Sequence, residues 1–354
     1  MTSNSNEVQS RPGRSYWQLA WRIYRQSTTG MIGLALVILL IAVGLCAPIL
    51  ANGMPLVCKF DGKLYAPALI EFIWNIPGFH WIIKKSYPFD QATFDFDDSF
   101  NPERGDWAIL PPVPYGPNAT SSQILAKPST AHLLGTDEVG RDLLARMIYG
   151  ARISMMVGFV AVGIATIIGI VLGALAGYFG TWVDIIISRF IEIVMCFPVF
   201  FLILSIIVWL EPSIWKVMIV LGITRWTGVA RYVRGEFIRL RETEYSLAAA
   251  ALGARPQRII FRHILPNALA PVFVTVTFGI ASAILIESGL SWLGFGVMPP
   301  QASWGNILKT GYDNMLTSAH MIWPPCIAIF IAVLSYNLVG DALRDAVDPR
   351  VAER

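Results

Sequence analysis

Long apolar runs closed off by charged residues set the rhythm of this chain. No charged side chain occurs between Arg25 and Lys59, between Arg152 and Asp184, or between Arg262 and Glu287. Shorter apolar runs cover residues 193–210 and 321–340. A membrane-crossing helix needs roughly 20 predominantly apolar residues, so each run predicts a span. A weaker one extends from residue 214 to about 230, interrupted by Lys216 and Arg225. Lys216 can snorkel to an interface. The expected fold is an all-α integral membrane protein of six transmembrane helices, the first at 30–50.

Composition agrees with that pattern. The chain is 55% hydrophobic and 14% charged, whereas a soluble domain carries about 25% charged residues. The first apolar run exceeds the roughly 7–15 residues of a signal-peptide core, and residues 1–29 precede it. Within them Trp17, Trp21 and Tyr24 share a helical face, with Arg14, Arg22 and Arg25 nearby. That pattern predicts an interfacial helix on the cytoplasmic membrane surface.

Basic residues set the orientation. Residues 1–29 hold four arginines and one acid, and residues 225–262 hold eight arginines and three acids. Residues 51–140 hold six lysines and arginines against ten acids. Both termini are therefore expected in the cytoplasm, a parity that six spans satisfy. Residues 51–131 form an outward insertion between the first two spans. It carries Lys84-Lys85, the acidic-aromatic stretch Phe94-Asp95-Phe96-Asp97-Asp98 and Pro111-Pro112-Val113-Pro114. Turn formers and aromatics together predict an ordered subdomain there. It serves as a contact for a partner protein or as a lid on the outer face.

The cytoplasmic segment 231–266 has the most informative local pattern. Glu244 to Leu252 is rich in alanine and leucine, which favour helix. Gly253 supplies a C-terminal cap and Pro256 blocks easy continuation. A second helix is expected over 257–264, leading to Pro266 at the membrane. Small residues at Ala248 and Ala249 would let a partner surface approach closely.

Other candidates lie on the outward side. Gly135-Thr136-Asp137 and Gly140-Arg141-Asp142 predict two tight turns with Asx-type hydrogen bonds. They serve either to anchor the second span or as a gate or partner contact. Trp304 is an interfacial belt residue or part of a cargo entrance. Glu287, beside an apolar run, is either a gate residue or a structurally paired carboxylate near the outer end of its helix. Arg189 can pair with Glu192 at i+3. Glycines 158, 163, 169, 173 and 177 in the second span permit close helix packing.

The loop resembles the coupling loop of membrane subunits of ABC importers, written Glu-Ala-Ala, three residues, Gly, nine residues, Ile, any residue, Leu-Pro. Ala248, Ala249, Gly253, Leu265 and Pro266 fall on the pattern. Leu247 stands at the usual glutamate, and His263 at the usual isoleucine. Glu244, one turn earlier, is a candidate substitute for the missing acid. Further strings, HLLGTDEVGRDLLARMIYGARIS, RYVRGE, FRHILPN, ESGLSWLGFGVMPPQASWGNIL and NLVGDALRDAVDPR, are similar to the C-type permease of dipeptide and oligopeptide importers. The long insertion is similar to that of permeases for oligopeptides and the peptide antibiotic microcin C.

That resemblance implies a type I importer permease whose core runs over 132–354. It implies a bacterial inner-membrane location and a heterodimer with a second homologous permease. Two ATP-binding subunits would dock on the loop, and an outer peptide-binding protein would deliver cargo. Peptides are the implied cargo, with another small solute such as nickel as the alternative and a secondary carrier as a more distant one. No cofactor is expected on this chain, since ATP and magnesium would bind the partner subunits. The sequence carries no phosphate-binding GxxxxGK[ST] loop, HExxH or GxSxG, and its net charge of +3 reflects topology rather than nucleic-acid binding. The four cysteines form no CxxC pair.

Overall fold

In a computed structural model, residues 16–60, 62–74, 106–210 and 213–347 are described. Arg14, His80, Lys84-Lys85 and the Phe94–Asp98 stretch lie outside them. The described chain is mostly helical. Four helices are long and apolar enough to cross a membrane: α2 (Thr28–Leu45), α5 (Leu143–Phe179), α10 (Pro256–Trp292) and α13 (Trp323–Val347). A fifth candidate is the pair α6 (Thr181–Met195) and α7 (Val199–Val208), bent by 80°. Pro198 stands at the bend as the N-cap of α7 and cannot continue a helix ladder. The expectation of one continuous third span is thus replaced by two angled pieces. Helix α8 (Ile214–Arg241) is not apolar enough to qualify, interrupted as it is by Lys216 and Arg225, so the described residues give four or five candidate spans where six were expected.

Helix α5 is the spine, and glycine makes it so. Ideal Cβ atoms on Gly169, Gly173 and Gly177 would lie 2.6 Å from Val229 Cβ, 2.5 Å from the Ala230 carbonyl oxygen and 2.6 Å from Phe237 Cβ. This four-residue spacing keeps the glycines on one face, so α5 and α8 pack backbone to backbone over two turns. Gly158 faces Ile280 and Ile284 of α10 at 3.0 and 3.3 Å, whereas Gly163 meets nothing within 4 Å. Gly30 and Gly33 of α2 meet Ala342 and Leu338 of α13 in the same way. Arg234 of α8 pairs with Asp184 of α6, and the expected Arg189–Glu192 pair forms at 2.6 Å on the exposed face.

The N-terminal helix α1 (Tyr16–Gln26) only partly fits an interfacial reading. Trp21 is exposed, but Tyr24 is buried against Ala342 and Ala346 of α13. Its hydroxyl donates to the Gly30 carbonyl at 2.9 Å. One aromatic of the face thus docks on the last span.

The insertion departs from the all-α expectation. After α3 (Ala47–Leu50) come β1 (Val57–Phe60), β2 (Lys63–Tyr65), α4 (Pro67–Trp74) and β3 (Trp107–Ile109). The strands form an antiparallel sheet in the order β2-β1-β3, with Cys58 opposite Tyr65 and Ala108. The Asp61-Gly62 dipeptide between β1 and β2 is a hairpin signal, and Gly62 has φ +76°.

Candidate functional site: a capped loop and a buried outer network

The loop is built from α9 (Glu244–Ala251) and the start of α10. Gly253 adopts φ +77°, a left-handed conformation that glycine reaches without Cβ strain. Its N–H donates to the Ala250 carbonyl at 3.0 Å, and the Ala254 N–H donates to Ala249 at 3.0 Å. These two bonds close a Schellman cap. Ala249 and Ala254 also pack together onto a core of Val233, Phe237, Leu240, Ile259, Ile260 and Ile264. At the other end Thr243 turns its hydroxyl back to the Leu240 carbonyl at 2.6 Å, and Ser246 is buried beneath it.

The expected separate helix over 257–264 instead runs unbroken into the span. A wide, π-type turn at Ile259–Ile264 absorbs Pro266 at the start of the long segment. The Asn267 side chain donates to the His263 carbonyl at 2.7 Å. Leu265 is half-buried, as is His263, while Pro266 is exposed.

The outward surface of α9, its cap and the start of α10 carries large apolar side chains. Leu247 is 56% exposed, Leu252 88% and Phe261 67%, and Glu244, Ala248 and Gly253 are exposed among them. Exposed side chains of this size, held on a rigid capped turn, form a surface made to be covered. Beside it opens a cleft of about 910 Å³, lined by residues including Tyr232, Glu236 and Arg239 of α8, Pro271 and Phe278 of α10, and Arg344 of α13.

At the far end of α5 lie the outward candidates, and they are buried. Asp137 is 1% exposed and accepts hydrogen bonds from the Val139 N–H, the Arg141 N–H and Arg141 Nε, at 2.9, 2.9 and 2.7 Å. Arg146 Nε lies 3.5 Å from the same carboxylate. The expected Asx-type turn is formed, and it closes an internal ion pair. Asp142 caps α5 by accepting from the Ala145 N–H at 2.8 Å, and its other oxygen meets His132 Nδ1 at 2.8 Å. The His132 ring lies 4.5 Å from that of Tyr115.

Glu287 and Trp304 belong to a second buried knot. Glu287 is fully buried, not water-exposed near its helix end. It accepts from Ser291 Oγ at 2.7 Å and from Ser154 Oγ of α5 at 3.3 Å. Ser154 in turn accepts from the Trp304 N–H at 3.3 Å, and Ser291 from the Val297 N–H at 3.0 Å. Trp304 is 1% exposed and donates its indole N–H to the Met147 carbonyl at 3.1 Å. It opens α11 (Trp304–Asp313), which Ser303 and Asn306 hold with a capping box. An interfacial belt role is thereby corrected: Gly150 leaves the space that the Trp304 ring fills. Asp137, Arg141, Asp142, Glu287 and Trp304 are thus all buried side chains.

Sequence reasoning missed His132, Arg146, Ser154 and Ser291. Asp142 as an N-cap is a local signal that could have been read. Ser154 lies 133 residues from Glu287, and no local pattern joins them.

A family profile described as the binding-protein-dependent transport system inner membrane component matches residues 169–353. A second, the N-terminal TM domain of oligopeptide transport permease C, matches residues 15–61. The chain belongs to the family of inner-membrane permease components of binding-protein-dependent transport systems, within its oligopeptide and dipeptide permease C type. It is 42% identical over 230 residues to the dipeptide transport system permease protein DppC of Alkalihalophilus pseudofirmus, covering 65% of this chain and 76% of that one. Against DppC of Bacillus subtilis the identity is 38% over 226 residues, covering 63% and 70%. A chain of the inward-facing MetNI methionine ABC transporter superposes with TM-score 0.47 at 21% identity, over 58% of this chain and 98% of that one. This protein is therefore a multi-pass transport subunit and not itself an enzyme.

Proposed function

We propose that this chain forms half of a peptide translocation pathway. The other half is a second homologous permease, and two ATPase subunits drive the pair through the loop at 244–266. An outer binding protein delivers peptides, the cargo named in the relatives' descriptions. Helix α8 is the span that brings the crossing count to six, with both termini and the loop cytoplasmic and the insertion periplasmic. The domain limits follow as 1–29, 30–50, 51–131 and 132–354. The buried outer knots frame the pathway rather than touch the binding protein.

One observation carries this reading: Leu247 of α9 and Leu252 at its end stand exposed on a helix stopped by the Gly253 cap, with Phe261 exposed at the start of α10. A short helix of this kind seats in a partner groove as a unit. Closure of two ATPases moves the two loops together, and the spans behind them follow as rigid bodies. ATP and magnesium would reside on those partners.

The test is mild purification from the native membrane with mass spectrometry, followed by reconstitution. Expected are a second permease, ATPase subunits, a binding protein and ATP-dependent peptide uptake. Uptake by this chain alone, without ATP, would overturn the proposal.

A further inference from the structure

An arginine sits inside the bundle without a charge partner. Arg225 of α8 donates from Nη2 to Ser282 Oγ of α10 at 2.8 Å, while its Nη1 is buried with no hydrogen-bond partner. Among the described residues no carboxylate pairs with it; the one acid deep in α10, Glu287, is taken up by Ser154 and Ser291. Arg225 is half-buried with Nη1 fully enclosed; a cation so placed without a counter-charge is costly, and an ionisable group within the helix bundle marks a functional site.

Its position along the helices gives the cost a purpose. On α8, Arg225, Gly228, Tyr232, Glu236 and Arg239 share a face by helical spacing, and the last three line the cleft beside the loop. On α10 the corresponding row is Pro271, Thr275, Phe278 and Ser282, of which the first three line the same cleft. Arg225 thus stands two turns, about 10 Å, beyond Tyr232, and Ser282 one turn beyond Phe278. The Arg225–Ser282 pair continues these two rows beyond the residues that line the cleft beside the loop. Gly228 leaves the way between clear, with nothing within 4 Å of its Cβ position.

We propose that Arg225 is an anion site in the translocation pathway, taking the carboxylate of a passing peptide. Guanidinium and carboxylate match in a two-bond fork. Ser282 accepts from one Nη2 hydrogen, so the second Nη2 hydrogen and Nη1 form the fork when the helices part around the cargo. In a peptide the C-terminal carboxylate is the group that every member of the cargo class shares, so a single arginine serves many sequences. This assignment rests on the peptide reading.

The test uses the complete importer in proteoliposomes, with its ATPases and binding protein. Uptake of a tripeptide and of its C-terminal amide is compared for the native chain, Arg225→Gln and Arg225→Lys. Arg225→Gln should lower the acid-to-amide uptake ratio about tenfold, the size of one charge-assisted hydrogen bond, with Arg225→Lys intermediate. ATPase stimulation by the binding protein should persist in both. The binding protein's own preference cancels in this ratio. An unchanged ratio overturns the site, and so does loss of the second permease from the Arg225→Gln complex, which would make the arginine a subunit contact.

A second arm needs no peptide. In a chain freed of its own cysteines, Gly228→Cys is treated with anionic and cationic thiosulfonates. The anionic reagent should react faster, and Arg225→Gln should abolish that preference. Absence of any preference overturns the site. If the native importer takes up neither peptide, the peptide reading fails, and a charge preference at position 228 still supports an anion site.

Discussion

Replacing Gly253 tests whether coupling depends on the shape of one turn. The residue sits at φ +77° with nothing within 4 Å of its Cβ position, so an added Cβ meets no other atom of this chain. The cost is then purely conformational, about 1–2 kcal/mol for an ordinary L-residue forced left-handed. Helix α9 has only 8 residues, and isolated helices shorter than about 12–15 residues are marginal. It leans on this cap and on the Ala249–Ala254 contact. A loss of about 1–2 kcal/mol lowers the population of the capped turn roughly 5–30-fold. Asparagine tolerates the left-handed region, so the expected order of ATP-driven uptake is Gly, then Asn, then Ala, with the β-branched Val lowest. The assay is uptake and ATPase stimulation in proteoliposomes, at equal membrane levels of each variant. If Asn proved as inactive as Val, the turn argument would be refuted. The glycine would then be required because a side chain collides with the docked partner.

Three other perturbations follow from the packing. Gly173→Leu should lower the melting temperature in detergent, with a cost of at least about 1–3 kcal/mol from overpacking, whereas Gly163→Ala, with nothing within 4 Å, should leave it unchanged. Glu287→Ala strips the acceptor from two serine hydroxyls and should destabilise the outer end more than Glu287→Gln; thermal unfolding of the two variants would reveal equal losses if the network were idle. His320 is held below its ordinary value of 6.5 by desolvation, which a backbone hydrogen bond with Ala126 opposes and Lys127 reinforces. The fold therefore favours neutral imidazole, and stability should fall as pH drops below about 6.5, where the unfolded chain takes up the proton. His320→Gln should flatten that slope in a pH series of melting curves.

Local chemistry made much of this architecture readable before any coordinates. Gly253 and Pro256 announce a helix stop wherever they stand, because their effect is on their own backbone. The glycines of α5 advertise close packing, though not which helix they meet, and Gly163 meets none. That α8 falls short of an apolar span is legible in Lys216 and Arg225. Trp304 defeated sequence reasoning since an outer-belt tryptophan and a buried one have the same chemistry; the space left by Gly150 decides between them. The bend before α7 could have been suspected from Pro198. The hairpin at β1–β2 was signalled by Asp61-Gly62 but obscured by the helical bias of a membrane composition. Glu287 is held by Ser291, one helical turn on, and by Ser154, 133 residues away; only the second partner is a matter of tertiary arrangement.

The glycine seam between α5 and α8 has a consequence for force. Two rods joined backbone to backbone cannot slide past each other without parting a packed contact. The Arg241 guanidinium further ties the end of α8 to the Tyr178 carbonyl at 3.0 Å. A push on α9 is therefore delivered to a beam of 37 residues, about 55 Å long. Tilting such a beam by about 5° about one end swings the other by about 5 Å. That far end is Asp142, clasped by His132 and leading into the Asp137–Arg141 knot. On the proposed coupling role, a small stroke at the loop becomes, at the opposite rim, a displacement the size of a backbone strand.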